Sequence, residues 1–159
     1  MGPLKSFYFK NVNSLSRGIV VEHRSILNGP EPDLQEYQIP GMDGNKYIYN
    51  GRRRNLIVQY ETFLRVPKSR DLQPWITSLK GWLLSDPGSY FMLEDDFDLN
   101  HYRQAAYSGG LDVDGSFKWI SRQSLEFTCK PYRYLKTGDD MVSGSAATSL
   151  TVYNPTIFD

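Results

Sequence analysis

Short apolar runs punctuated by Gly, Pro, Asn and Asp dominate the chain and predict strands over most of its length. Phe7-Tyr8-Phe9 is apolar, and Asn11, Asn13 and Ser14 then signal a turn before Ile19-Val20-Val21. Residues 28–33, Asn-Gly-Pro-Glu-Pro-Asp, are a breaker cluster expected to hold no regular structure. Leu34 to Ile39 reads as a partly alternating strand, and Pro40-Gly41-Met42-Asp43-Gly44 as a tight loop whose glycines can adopt positive φ. Strands resume at Lys46–Tyr49 and Asn55–Leu64, joined by a hairpin-like loop of Asn50, Gly51, Arg52, Arg53 and Arg54. In the second of these strands, alternation sets Leu56, Val58, Tyr60 and Thr62 on an apolar face. Ile57, Gln59, Glu61 and Phe63 fall on the other, mixed face.

One segment follows a different period. From Asp71 to Leu84, apolar residues recur at 72, 75, 76, 79, 82 and 83, the spacing of one helix face. Asp71 is placed to cap the first turn, Pro74 lies where no internal N–H partner is lost, and Ser85-Asp86-Pro87-Gly88 ends the helix. The stripe of Leu72, Trp75, Ile76, Leu79, Trp82 and Leu83 is expected to cover a sheet. Strands are expected again at Tyr90–Leu93, Tyr102–Tyr107, Leu111–Val113, Phe117–Ile120 and Ser124–Cys129, with an acidic turn over Glu94–Asp98 and a closing segment Pro131-Tyr132-Arg133-Tyr134. The small polar run 137–149 reads as a linker, and Leu150 to Pro155 as the start of a new strand. The pattern therefore predicts one mainly β domain over residues 1–136 with a single amphipathic helix packed on its sheet, then a linker, then the opening strand of a neighbour.

Composition narrows the class. The 159 residues carry 18 Lys+Arg against 18 Asp+Glu, a formal net charge of zero. Proteins that grip phosphate backbones draw most of their affinity from a basic excess, so this balance argues against that work. It also gives little electrostatic protection against self-association. The 11 Tyr, 8 Phe and 3 Trp suit pleated, half-buried surfaces. Cys129 is the single cysteine, so no intramolecular disulfide forms, and its position within a strand reads as a small core residue. Residues 1–30 contain no apolar signal-peptide core of about 7–15 residues, and no stretch approaches the ~20 apolar residues that span a bilayer.

Candidate chemistry is sparse. Glu94, Asp95, Asp96 and Asp98 with nearby His101 form the best catalytic or cation-binding candidate, because paired carboxylates can act as acid and base and a carboxylate cluster suits a hard cation. Four acids in five residues between strands are also what a solvated turn looks like. No Ser-centred elbow, Walker loop or dinucleotide glycine pattern occurs. Arg52, Arg53 and Arg54 are the one basic run, suited to a partner's carboxylates or to phosphates, and equally to a solvated loop. That run and the 94–98 acids are expected on different surfaces.

Several motifs, in order, resemble the distal tail protein (Dit) family of long-tailed, non-contractile phages and prophages of Gram-positive bacteria. They are Phe7-x-Phe9 with Asn13-Ser14 and Gly18-Ile19, the loop Ile39-Pro40-Gly41-x-Asp43-Gly44, the helix end Trp82-Leu83, the turn Leu93-Glu94-Asp95, and the closing run Phe127-x-Cys129-x-Pro131-Tyr132. Together they cover residues 7–135; Met42 stands where that loop often has arginine. The resemblance implies a β-sandwich-like, ring-forming N-terminal domain, with residues 150–159 as the first strand of a galectin-like second domain. It implies a structural, non-enzymatic component of the virion, assembled in the host cytoplasm without cofactor or metal. The family's hexameric ring joins the tail-tube protein to tail-tip or baseplate proteins around a channel through which DNA passes without specific binding. Contact residues expected on this reading are Pro40, Gly41, Asp43, Gly44, Arg52, Arg53, Arg54, Tyr132 and Tyr134. The alternative is a small carbohydrate-binding or hydrolytic β-domain using the aromatics and the 94–98 acids.

Overall fold

The computed structural model describes residues 4–25, 29–66, 72–111 and 120–138. Its elements run β1 (Phe7–Phe9), β2 (Val12–Asn13), a 3-10 turn (Ser14–Arg17), β3 (Ile19–Arg24), β4 (Pro32–Gln38), β5 (Asn45–Arg53), β6 (Leu56–Arg65), α1 (Leu72–Leu84), β7 (Phe91–Asp95), β8 (Asp98–Tyr107) and β9 (Ile120–Leu135). The strict alternation of residues 56–65 becomes β6, with Leu56, Val58, Tyr60, Thr62 and Leu64 buried and the residues between them more exposed. β6 pairs antiparallel with β9 over its whole length and with β3 on its other side.

Seven strands form one antiparallel sheet in the order β2-β1-β7-β8-β9-β6-β3. The sheet curls until its two ends approach. Val21 N–H on β3 donates to the carbonyl of Lys5, two residues before β1, at 3.0 Å, forming an isolated antiparallel bridge. Curling turns the apolar faces inward around Phe7, Phe9, Ile19, Tyr60, Leu64, Leu125, Phe127 and Cys129. Phe127 stands edge-on to Phe7, Phe9, Tyr60 and Tyr107, with ring centroids 5.1–5.9 Å apart, the arrangement that ring quadrupoles favour.

Helix α1 covers this core. Leu79, Trp82 and Leu83 are buried, with Trp75 and Ile76 partly so, and Trp82 stacks on Phe7 at 6.1 Å. Both indole N–H groups find backbone carbonyls, Trp82 to Phe9 at 3.2 Å and Trp75 to Arg17 at 3.1 Å. The expected class, mainly β with one amphipathic helix packed on the sheet, is the class observed. The sheet achieves it by curling on itself.

Four local expectations change. The breaker cluster does not exclude structure, because β4 begins at Pro32, where a strand's first residue needs no N–H donor. Arg52 and Arg53 lie in β5 rather than in a loop: Asn50-Gly51 forms a bulge opposite Asp33, with Gly51 at φ 74, and the ladder then resumes. The acidic turn is tighter than predicted, since Glu94 and Asp95 end β7, Asp98 begins β8, and only Asp96 and Phe97 turn the chain. The closing segment is a continuation of β9, and Pro131 is tolerated because it falls in a bulge, with Cys129 opposite Ala105 and Arg133 opposite Arg103. The cap at Asp71, the strand at 111–113, most of the strand at 117–120, the linker beyond residue 138 and the strand at 150–159 lie outside the described residues.

Two glycines give opposite predictions. Gly18 ends the 3-10 turn at φ 72, and an added Cβ would sit 2.4 Å from the Arg65 carbonyl oxygen. Gly81 lies in α1 with nothing within 4 Å of that position. Gly18→Ala is expected to lower unfolding free energy by about 1–3 kcal/mol. Gly81→Ala should raise it by about 0.5–1 kcal/mol through helix propensity. Urea denaturation of both variants checks the pair.

Candidate functional site

Strands β4 and β5 stand apart from the seven-stranded sheet as a two-stranded hairpin. Among the described residues, β4 and β5 make their extensive contacts with each other alone. Such a ribbon is marginal by itself in water, and its outer edges leave backbone N–H and C=O groups unpaired. All nine residues of β5 are exposed, and in β4 only Asp33 is buried. Yet the hairpin is rich in large apolar groups: Leu34, Tyr37, Ile39, Met42, Tyr47, Ile48 and Tyr49 are all exposed, Tyr47 by 60% and Tyr49 by 54%. A polar ribbon would need no partner. This one presents apolar side chains on both faces.

The expected contact residues occupy both ends of that arm. Pro40, Gly41, Asp43 and Gly44 form its exposed tip, where Gly41 and Gly44 take φ 83 and 84. Arg52 and Arg54 converge at its root on Asp33, through Nε at 2.6 and 3.1 Å, and Arg53 Nη1 donates to the Pro30 carbonyl at 3.0 Å. Hydrogen bonds from Arg52, then Arg54 and Asn50, hold the Asp33 carboxyl below the usual carboxylate range. Arg52 and Arg54 remain largely exposed while making these bonds. The bulge at Asn50-Gly51 aligns them with Asp33, which spacing in sequence does not reveal. Tyr132 and Tyr134 lie elsewhere, on β9: Tyr132 is exposed beside the Pro131 bulge, and Tyr134 stacks on Tyr102 at 5.3 Å. The arm's exposed tyrosines were not among the expected contacts. Their one signal was the unbroken Tyr47-Ile48-Tyr49 run, which puts apolar groups on both sides of a strand.

The acids at 94–98 are engaged one by one. Asp95 accepts from Arg24 Nη1 with both oxygens (3.0 and 2.8 Å), from the Tyr60 hydroxyl (2.6 Å), and from the Phe97 and Asp98 N–H groups. Asp96 accepts from the Ser6 N–H and hydroxyl, both at 2.7 Å. Asp98 pairs with His101 and Arg133, and Glu94 with Lys136. No ion pair among the described residues links these acids to the Arg52–Arg54 run; each cluster has its own counter-charges. Among the described residues, no group of three His, Cys, Asp or Glu is arranged to hold a metal ion, and no helix is long and apolar enough to cross a membrane. The carboxylates are occupied in joining strands.

Comparison with known proteins adds the fold. No family model and no curated protein matches this chain. Among solved structures it is similar to the SPP1 Dit (gp 19.1) protein, titled a paradigm of the hub adsorption apparatus in Gram-positive infecting phages. The TM-score is 0.68 at 14% identity, over 84% of this chain and 53% of that one. This chain thus spans about half the length of the structure it matches. The Dit-like fold expected from the ordered motifs is the fold observed.

Two titrations follow from this geometry. Burial pushes the Asp98 carboxyl up, but the hydrogen bond and charge of His101 and the Arg133 guanidinium outweigh it and leave the group below its ordinary value. Its contribution to stability is therefore complete above the unfolded carboxylate pKa of about 4 and is lost as pH falls further. Asp98→Asn should be less stable than the parent at pH 7, with the gap shrinking towards pH ~3 as the parent's own carboxylate protonates; chemical melts across that range measure it. Cys129 is fully buried, and burial pushes its thiol up to about 12. A chromogenic disulfide reagent at pH ~8 should leave the native thiol unlabelled and react with one equivalent after unfolding.

Proposed function

We propose that this chain is the ring-forming part of a distal-tail hub in a long-tailed phage. Copies associate side by side into a hexameric ring, with the tail-tube protein on one face and tail-tip or baseplate proteins on the other. DNA passes through the central channel without specific binding. The role is structural rather than enzymatic, and its place is the virion tail. Residues 1–136 make the ring, 137–149 lead out of it, and 150–159 open a further domain. The contacts are assigned to the arm tip at Pro40, Gly41, Asp43 and Gly44, to Arg52, Arg53 and Arg54 at its root, and to Tyr132 and Tyr134.

One observation carries the reading: the β4–β5 arm exposes Tyr37, Tyr47, Ile48 and Tyr49, and among the described residues nothing outside the arm packs extensively against it. A second copy supplies the missing cover, and a closed ring satisfies every arm at once. The Dit-like fold supports the same assignment, and so does a net charge of zero, which lets like subunits pack closely and gives a channel little hold on passing phosphates.

Light scattering coupled to size exclusion, with negative-stain imaging, tests it. The parent should give a concentration-dependent ring whose mass is six times the 18.3 kDa chain. Tyr47→Ser with Tyr49→Ser should remain folded by circular dichroism and run as a monomer. A parent that is monomeric at every concentration, or a doubly substituted chain that still closes rings, defeats the proposal.

A further inference from the structure

Among the described residues, Arg103 is the one guanidinium at the mouth of the curled sheet with no ion-pair partner in the surrounding network. Its cross-strand neighbours fix its position. It sits opposite Leu93 on β7, which is buried in the core, and opposite Arg133 on β9. Two residues along β8, Ala105 continues the same core-facing row. Arg103 therefore points to the inner side of the sheet, where strands normally carry apolar groups. Like charges set directly opposite on paired strands repel. Arg133 is relieved by Asp98 at 3.1 Å and Arg24 by Asp95 at 2.8 Å. Arg103 has no hydrogen bond or ion pair within the described residues, and it is not among the enclosed groups left without a partner, so its nitrogens reach solvent.

The depression there is lined by Arg24, Tyr60, Asp95, Asp98, Arg103 and Arg133. Among the described residues that line it, both carboxylates already have cationic partners, so Arg103 is left without a counter-charge in a partly desolvated place. Burial, and then the neighbouring Arg133 and Arg24 charges, hold the Arg103 pKa down, although the guanidinium stays ionised. The space is about 20 Å³, room for one water-sized group. A whole metabolite does not fit. The depression is open to solvent, so a carboxylate can present its oxygens to Arg103 while its carbon and bearer stay outside.

We propose that Arg103 is a carboxylate-binding site: a planar carboxylate enters this mouth from outside and takes a bidentate fork on the Arg103 guanidinium, relieving its opposition to Arg133. The geometry suits carboxylate because the guanidinium fork matches two coplanar oxygens. The bearer is an acidic side chain of a protein partner or a free carboxylic acid, and the two are separated by the probes below. The assignment rests on this mouth alone and stands whether or not the chain forms rings.

The test uses thermal melting of the parent and of Arg103→Gln, with the Arg103 Nε–Hε resonance of the parent, at constant ionic strength. The expected parent response is a saturable shift of that resonance and a melting temperature that climbs with acetate or with a blocked aspartyl peptide. A response at least tenfold more sensitive to the peptide than to acetate assigns a protein bearer; equal sensitivity assigns a free acid. R103Q, which removes an unpartnered charge facing another, should melt no lower than the parent in chloride buffer and show no rise in melting temperature with either probe. Arg103→Lys, a point charge without the fork, should fold and respond at least threefold more weakly than the parent. A parent resonance unmoved by both probes, a response to inorganic phosphate alone, or an R103Q protein that still responds overturns the proposal.

Discussion

A nearly buried carboxylate, Asp95, is the constraint on which the closed end of this molecule depends. A charge removed from water is tolerated only when its lone pairs are filled. Asp95 fills them with Arg24 from β3, Tyr60 from β6 and two backbone N–H groups at the end of the β7–β8 turn. β3 and β7 are not hydrogen-bonded neighbours in the sheet, so the Arg24–Asp95 pair spans the gap that curling leaves. The same residue thereby sets the turn geometry and ties it to the far edge. Removing one partner of such a pair leaves the other buried and uncompensated, a loss typically of about 3–5 kcal/mol.

From that closure the rest follows in order. Once the ends meet, the inward row of β6 and β9 encloses the Phe7, Phe9, Tyr60 and Phe127 rings, and α1 seals the remaining side with Trp82. The seven-stranded sheet does not include β4 or β5. β4 and β5, lying between two of its members in sequence, are left outside as an arm. The apolar groups of that arm stay exposed and take no part in this core. Polar groups gather at the mouth for a related reason: where the sheet opens, Arg24, Arg103 and Arg133 can keep contact with water while their stems line the interior.

Much of this was legible in particular residues. The alternation of 56–64 specified the buried face of β6, and the spacing at 75, 76, 79, 82 and 83 specified the covered face of α1, because both are local periodicities. Cys129 as a core residue followed from its strand context. The places where local reading failed share a cause. Pro131 within β9, Asn50-Gly51 within β5 and Asp95 within β7 are residues that normally end strands, and each is kept in a ladder by its partner strand, by a bulge or by a distant hydrogen-bond donor. Nothing near Arg103 in sequence announces that its face of β8 turns inward.

By itself, then, the sequence determined the class, the single helix and its buried stripe, the loop at 40–44 with its two positive-φ glycines, and the absence of any disulfide. These depend on residue type and on spacing within one element. Tertiary structure alone decided that the sheet closes, that the 94–98 acids are bonded to partners distant in sequence or across the turn, that the arginine run anchors an exposed arm, and that Arg103 faces inward with no ion pair among the described residues. Each of those depends on which strand lies beside which, and pairing between residues up to a hundred positions apart is set by the curl of the whole sheet, a quantity no local pattern encodes.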